Sequence, residues 1–292
     1  MNKDISLIEN KLQSYIDEYR ENKYNQLELI NSMEYSLMAG GKRIRPRFVL
    51  EFNRLCGGKD EDVLPVACAI EMIHTYSLIQ DDLPCMDDDD MRRGKPSNHI
   101  KFGESTALLA SDALNSMAFE IMSRDTNKSI NLLKAINVLA VNSGASGLIG
   151  GQVLDIKLEN MSKDEITLDI IREMYYKKTS ALIISACVMG AIMGNATDEQ
   201  IEATKKYATN IGLAFQIVDD ILDLTSTTEK LGKPVLSDEK NNKNTIVSFI
   251  GIDNAYEKVE ELTSKAIDQL SIFDNDSTVL KDIAISLITR EN

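Results

Sequence analysis

The chain has 292 residues, 43% of them apolar, enough for a sizeable core in one large domain or two ordinary ones. Its 32 basic against 46 acidic residues give a net charge of −14, which argues against a general nucleic-acid binder. Cys56, Cys68, Cys85 and Cys187 are scattered with no C-x-x-C, so the sequence predicts reduced thiols in a cytoplasm rather than a disulfide scaffold or a zinc site.

The first element, "MNKDISLIENKLQSYIDEY", is polar and amphipathic. It lacks a basic start followed by an apolar core, so it does not read as a secretory signal. "GGKRIRP" (40–46) then sets Lys42, Arg43 and Arg45 after two glycines, which permit a tight backbone approach to an anion. The spacing of a P-loop is absent, and alone this segment equally describes a basic surface turn. The apolar helical stretch "VACAIEMIHTYSLIQ" (66–80) carries Asp81 and Asp82 to its end and then meets Pro84. A proline inside a helix costs roughly 3 kcal/mol, so the helix is predicted to stop or bend there, turning Asp87 to face Asp81.

No proline lies between residues 97 and 233. Ala107, Leu108, Ala110, Ser111, Leu114 and Met117 mark one helical face in that stretch. "TLDIIREMYYKKTSALIISACVMGAIMG" (167–194) predicts a long helix ended by Gly190 or Gly194. Its apolar part, 181–194, is shorter than the ~20 residues a bilayer requires, so no membrane span is expected. "TDEQIEATKKYATNIGLAFQIVDDILDL" (197–224) opens with Thr197 and Gln200 spaced as a capping box. It closes on Asp219, Asp220 and Asp223, of which Asp219 and Asp223 share a face at i, i+4. Residues 225–244 read as a long polar loop. With no N-G or D-G hairpin signal, the elements predict an all-α protein with one domain over 1–292.

The segment "DDLPCMDDDDMRR" (81–93) holds six aspartates and two arginines. Like charges pressed together raise one another's pKa, so two acidic clusters on apolar helices are costly unless a cation fills the gap. Solvated acids at helix ends are the plain alternative, and the second cluster weakens it. Oxygen-rich sites suit hard cations, and magnesium takes a few carboxylates plus substrate phosphates. Arg92 and Arg93 follow at once, and guanidinium binds phosphate oxygens bidentately. The pattern predicts a metal that reverses the repulsion between an acidic site and a diphosphate.

"GGKRIRP", "HTYSLIQDDLPCMDDDDMRRGKPSNHIKFGE", "GGQVLDI", "KKTSAL", "FQIVDDILD" and "LGKP", in this order, resemble the polyprenyl synthases, specifically the bacterial-type farnesyl diphosphate synthases. The resemblance implies helices around a deep central cavity (the isoprenoid synthase type), usually as a homodimer. It implies Mg2+-dependent condensation of isopentenyl diphosphate with the allylic dimethylallyl and geranyl diphosphates, giving the C15 product farnesyl diphosphate; a C20 geranylgeranyl product is the alternative. By motif, Asp81 and Asp87 resemble the ligands of two magnesium ions, with Asp82 beside them, and Asp219 resembles the ligand of a third, with Asp220 and Asp223 in support. Lys42, Arg45, His74 and Arg93 match positions that hold isopentenyl diphosphate. Arg92, Lys178, Lys233 and Lys243 match contacts to the allylic diphosphate. Thr179 and Gln216 match polar groups near the developing cation, and Gln152 a supporting place. His74, seven residues before Asp81, lies two turns earlier on a similar face. Tyr76 and Ser77 match the positions whose bulk limits product length; Ser77 is small, so Tyr76 is expected to form the floor.

Gln80, Leu236 and Ile246 depart from residues frequent in that family. Two other readings share the acidic motifs. A terpene cyclase needs no second diphosphate site, and the absence of Trp fits it poorly. A regulatory subunit would be expected to lose metal-binding aspartates, and both clusters are intact.

Overall fold

The computed structural model describes residues 2–21, 25–124, 130–225 and 245–289. Among them the chain is helical, as the periodicity predicts: α1 (Asn2–Glu21), α2 (Leu27–Leu37), α3 (Ile44–Leu55) and α4 (Asp60–Asp81), then α5 (Asn98–Phe102), α6 (Glu104–Ser123), α7 (Ile130–Ser143) and α8 (Leu148–Glu159). After these come α9 (Leu168–Tyr175), α10 (Ala181–Met193), α11 (Asp198–Thr225), α12 (Ile246–Ile250), α13 (Ile252–Asp268) and α14 (Thr278–Ile288). Sequence reasoning missed a two-residue antiparallel pair, β1 (Met91–Arg92) and β2 (Lys95–Pro96).

α10 is apolar all round and sits at the centre, with every residue from Ala181 to Ala191 buried. It packs on α3, α4, α7 and α11. Gly190 permits the closest approach: a Cβ there would lie 2.3 Å from the Val49 carbonyl oxygen of α3. A second apolar cluster, built on Ile171, Met174, Ile217, Ile221 and Val259, joins α9, α11 and α13.

Residues 168–193 run as one continuous helical stretch, as predicted, but with a π-helical turn inside it. A π-turn, Tyr176–Ser180, separates α9 from α10, and Gly194 closes the run. The capping box holds: Thr197 Oγ1 accepts from Gln200 N at 3.2 Å and Gln200 Oε1 accepts from Thr197 N at 2.9 Å. All four cysteines are free thiols. Among the described residues, two helical stretches are long and apolar enough to cross a membrane by composition, 60–81 and 130–159. The first is α4, whose middle lies in the core. The second, α7–α8, is one-third buried and keeps an exposed apolar row.

Candidate active site

α4 ends at Asp81, and the turn beyond it closes through Asp87 N–H donating to the Asp81 carbonyl at 2.9 Å. Pro84 thus sits where the helix has stopped, and the turn brings Asp87 back beside Asp81 as predicted. Burial pushes the Asp81 carboxyl up to about 6; Lys178 opposes the rise and the charge of Asp87 adds to it. A cation bound beside it would favour the ionised form and displace the proton.

Successive helical residues point about 100° apart, and Asp82 leaves the Asp81 face accordingly. It is 2% exposed and accepts from Arg92 Nε at 2.8 Å and from Arg92 Nη2. Asp82, named above with the metal-binding carboxylates, anchors Arg92. Arg92 also reaches Asp89, so its guanidinium is held by two acids. Burial pulls the Arg92 guanidinium down, but the Asp82 bond outweighs it.

β1 and β2 form a hairpin whose turn, Arg93–Gly94, has both φ positive at 53° and 73°. The turn sends Arg93 back to the other basic segment, where its Nη1 donates to the Gly40 carbonyl. Arg43, Asp88 and Arg93 are three of the four non-glycine residues with positive φ among those described. Left-handed backbone at non-glycine residues costs energy, and it collects here around the acidic and basic motifs.

Arg45, Arg93 and His74 converge behind the acidic turn. Burial lowers the Arg45 guanidinium, with Glu71 opposing and Arg93 adding to the fall; Asp219 is close enough to pull the other way. Arg93 is lowered by burial and by Arg43 and Arg92. Burial and four arginines press the His74 imidazole well below its usual value, so it is neutral. Crowded, partly desolvated cations of this kind are relieved by an anion. Lys42, beside them, is exposed. Arg43, the third cation of the motif, is spent on structure: it is buried against Glu71 at 2.7 Å and donates to the Leu37 carbonyl.

The opposite wall comes from α8, the π-turn and α11. Lys178 and Thr179 lie in the π-turn, an arrangement found frequently at functional sites. Gly151 lets α8 pack directly on it: a Cβ there would lie 2.2 Å from Lys178 N. Asp155, one turn further, pairs with Lys178 Nζ at 2.5 Å. Burial lowers the Lys178 ammonium, but Asp155 and Asp81 outweigh it and hold it above its usual value. "GGQVLD" is therefore a cradle for Lys178, and Asp155 and Gly151 are its working parts. Gln152, taken above as a supporting polar group, has a buried amide nitrogen with no hydrogen-bond partner.

On α11, Asp219 is half-buried, whereas Asp220 and Asp223 are each 2% exposed. Thr179 Oγ1 donates to Gln216 Oε1 at 2.8 Å, joining the two predicted cation-facing groups. Tyr76 is 4% exposed in the main core, with Asp81 and Asp112 in electrostatic reach. Ser77 donates to the His74 carbonyl of its own helix at 2.9 Å. Lys233, Lys243 and Leu236 fall outside the described residues.

Asp81, Asp87 and Asp219 supply hard carboxylate oxygens facing cationic groups. Among the described residues, no three His, Cys, Asp or Glu side chains cluster into a complete metal cage. Such a donor set fits magnesium, which takes one or two carboxylates and completes its shell with water and substrate phosphate. The raised Asp81 carboxyl gives this a pH dependence. The protonated acid cannot donate to a cation, so half-saturating magnesium should rise about tenfold per pH unit below about 6 and stay flat above about 7. Initial rates against magnesium from pH 5 to 8 measure it; a flat requirement down to pH 5 contradicts the role given to Asp81.

An all-helical fold with facing acidic and cationic walls defines a protein of the isoprenoid synthase type. The chain belongs to the polyprenyl synthetase family, whose description matches residues 26–281. It is 44% identical over 271 residues to the heterodimeric geranylgeranyl pyrophosphate synthase large subunit 1 of Arabidopsis thaliana, covering 91% of this chain and 73% of that one. It is 45% identical over 270 residues to the geranylgeranyl diphosphate synthase of Cyanophora paradoxa, covering 92% and 89%. Among solved structures, the geranylgeranyl pyrophosphate synthetase of Pyrococcus horikoshii superimposes with a TM-score of 0.89 at 31% identity, covering 99% of this chain and 97% of that one. An FPP/GFPP synthase from Zymomonas mobilis gives 0.83 at 34%, covering 99% and 100%. The family expectation holds; the farnesyl subtype is not what the curated relatives are named for. The chain is a prenyltransferase.

Proposed function

We propose that this protein elongates an allylic diphosphate with isopentenyl diphosphate, releasing inorganic diphosphate and a proton. The observation that carries this reading is the apposition of Asp81 and Asp87 with Lys178 on one side and Arg45, Arg93 and His74 on the other. Two anionic heads can then be held side by side, one by Lys178 and the magnesium that Asp81 and Asp87 would carry, one by the arginines and the neutral imidazole. Magnesium, when bound, supplies charge neutralisation for the departing diphosphate. Lys178 adds a fixed positive charge at the same place. Thr179 and Gln216 offer the negative ends of dipoles to the allylic cation without offering a strong nucleophile. The apolar helices behind them keep water out.

The names of the curated relatives support a C20 product, geranylgeranyl diphosphate. A second reading, C15, is favoured by one specific observation: the buried ring of Tyr76, five residues before Asp81 on the helix that leads down from the acidic turn. Incubation with magnesium, isopentenyl diphosphate and dimethylallyl diphosphate, followed by sizing of the dephosphorylated products, tests the function and separates the two lengths. Absence of any C10 or longer product removes the elongation reading.

The exposed apolar row of α6 to α8, including Leu109, Ile130, Leu133, Ile149 and Val153 at 46–64% exposure, supports a homodimer. Monomers seldom leave so long an apolar face to water.

A further inference from the structure

Asp220 lies beside the acidic face of α11, yet both of its oxygens are occupied inside the protein. Gln216 Nε2 donates to Oδ1 at 3.2 Å, and Tyr175 Oη donates to Oδ2 at 2.5 Å. Tyr175, the last residue of α9, is 3% exposed. Its hydroxyl oxygen accepts from Ile246 N–H, the first residue of α12, at 3.3 Å. Each donor therefore has an assigned direction. Because Ile246 occupies a lone pair of the hydroxyl, the tyrosine proton is left for the carboxylate. The Gln216 amide turns its NH2 toward Asp220, whose Oδ1 accepts from it. Its oxygen then faces Thr179, which donates to it at 2.8 Å.

We propose that Tyr175 is a positioning residue for prenyl transfer: through Asp220 it locks the Gln216 amide with its oxygen, not its NH2, toward Thr179 and the allylic cation. The inference rests on the elongation reading and on the place given there to Thr179 and Gln216. A flipped amide would present N–H dipoles to a carbocation and so work against it. Without the tyrosine hydroxyl, Asp220 loses a donor that fixes its carboxylate plane, and the amide loses its fixed side. Ile246 departs from the residue frequent at its position, but its contribution here is a backbone N–H, which any residue except proline supplies.

The test is a double-mutant cycle. Tyr175→Phe keeps the ring and removes the hydroxyl. It should lower kcat about tenfold, a factor of the size one charge-assisted hydrogen bond supplies, with KM for both substrates within about twofold. In a Gln216→Ala background, where there is no amide to orient, the same change should alter kcat less than about twofold. Comparing rates within each background, at a temperature where all variants keep the wild-type near-UV CD, separates positioning from a general loss of packing. A wild-type kcat in Tyr175→Phe overturns the inference, and so does an equal tenfold loss in the Gln216→Ala background. If the unsubstituted protein makes no elongated product, the elongation reading fails first, and Tyr175 loses its role with it.

Discussion

Asp81→Ala is expected to lower turnover by about 10³-fold at saturating magnesium, and Asp219→Ala by a comparable factor, the upper end of what one preorganised electrostatic group supplies. The reasoning starts from cost. Burial and Asp87 hold the Asp81 carboxyl up at about 6. A carboxyl raised above its unfolded value destabilises the folded chain at neutral pH, where the unfolded state would ionise it freely. Such strain persists where a ligand offsets it. Asp81→Ala should therefore leave the thermal midpoint unchanged or higher while activity collapses, the opposite of what loss of a structural acid would do. Steady-state rates paired with calorimetry measure both halves. Near-normal turnover of either variant would remove these residues from the metal site.

The acidic and basic motifs were legible in the sequence because their meaning is local. Helix periodicity and Pro84 suffice to put Asp81 and Asp87 on one turn, whereas the i, i+4 pair on α11 differs in burial, Asp219 half-buried and Asp223 2% exposed. What was not legible depends on tertiary neighbours. Asp81 and Asp82 are adjacent and chemically identical; only the hairpin that delivers Arg92 assigns Asp82 to an ion pair. Arg43 and Arg45 differ in the same way, because Glu71 of α4 claims the first. The π-turn at 176–180 leaves the apolar periodicity intact, so the sequence shows the long helix of 167–194 but not the turn inside it. Asp155 and Tyr175 are a charged residue and an aromatic on helices, with nothing local to mark them. A useful signal was present in "GGQVLD": two glycines inside an apolar helix cost stability, which argues that another backbone comes close there. The structure brings the π-turn to that place.

Tyr76→Ala is expected to lengthen the main product by at least one five-carbon unit relative to the unsubstituted protein. In the elongation proposed above the growing chain extends away from the acidic turn, and α4 is the helix that runs back from that turn into the core. Tyr76 lies ~7.5 Å below Asp81 along the helix axis at ~1.5 Å per residue. Its ring is almost wholly buried, packed in the main apolar cluster. Ser77, the other residue at this depth, is short and ties its hydroxyl to its own helix, so it adds little bulk. Removing the ring opens depth without touching Asp81, Asp87 or Lys178, so diphosphate binding and turnover should largely persist. A cavity of this kind costs about 3–5 kcal/mol of stability. Tyr76→Met, which is narrower and flexible but still apolar, therefore serves as a second variant, with a smaller shift in the same direction. Chromatography of the dephosphorylated products from both variants reads the outcome. Unchanged length in the two, with activity retained, would place the floor of the cavity on another helix and withdraw the observation that favours a C15 product.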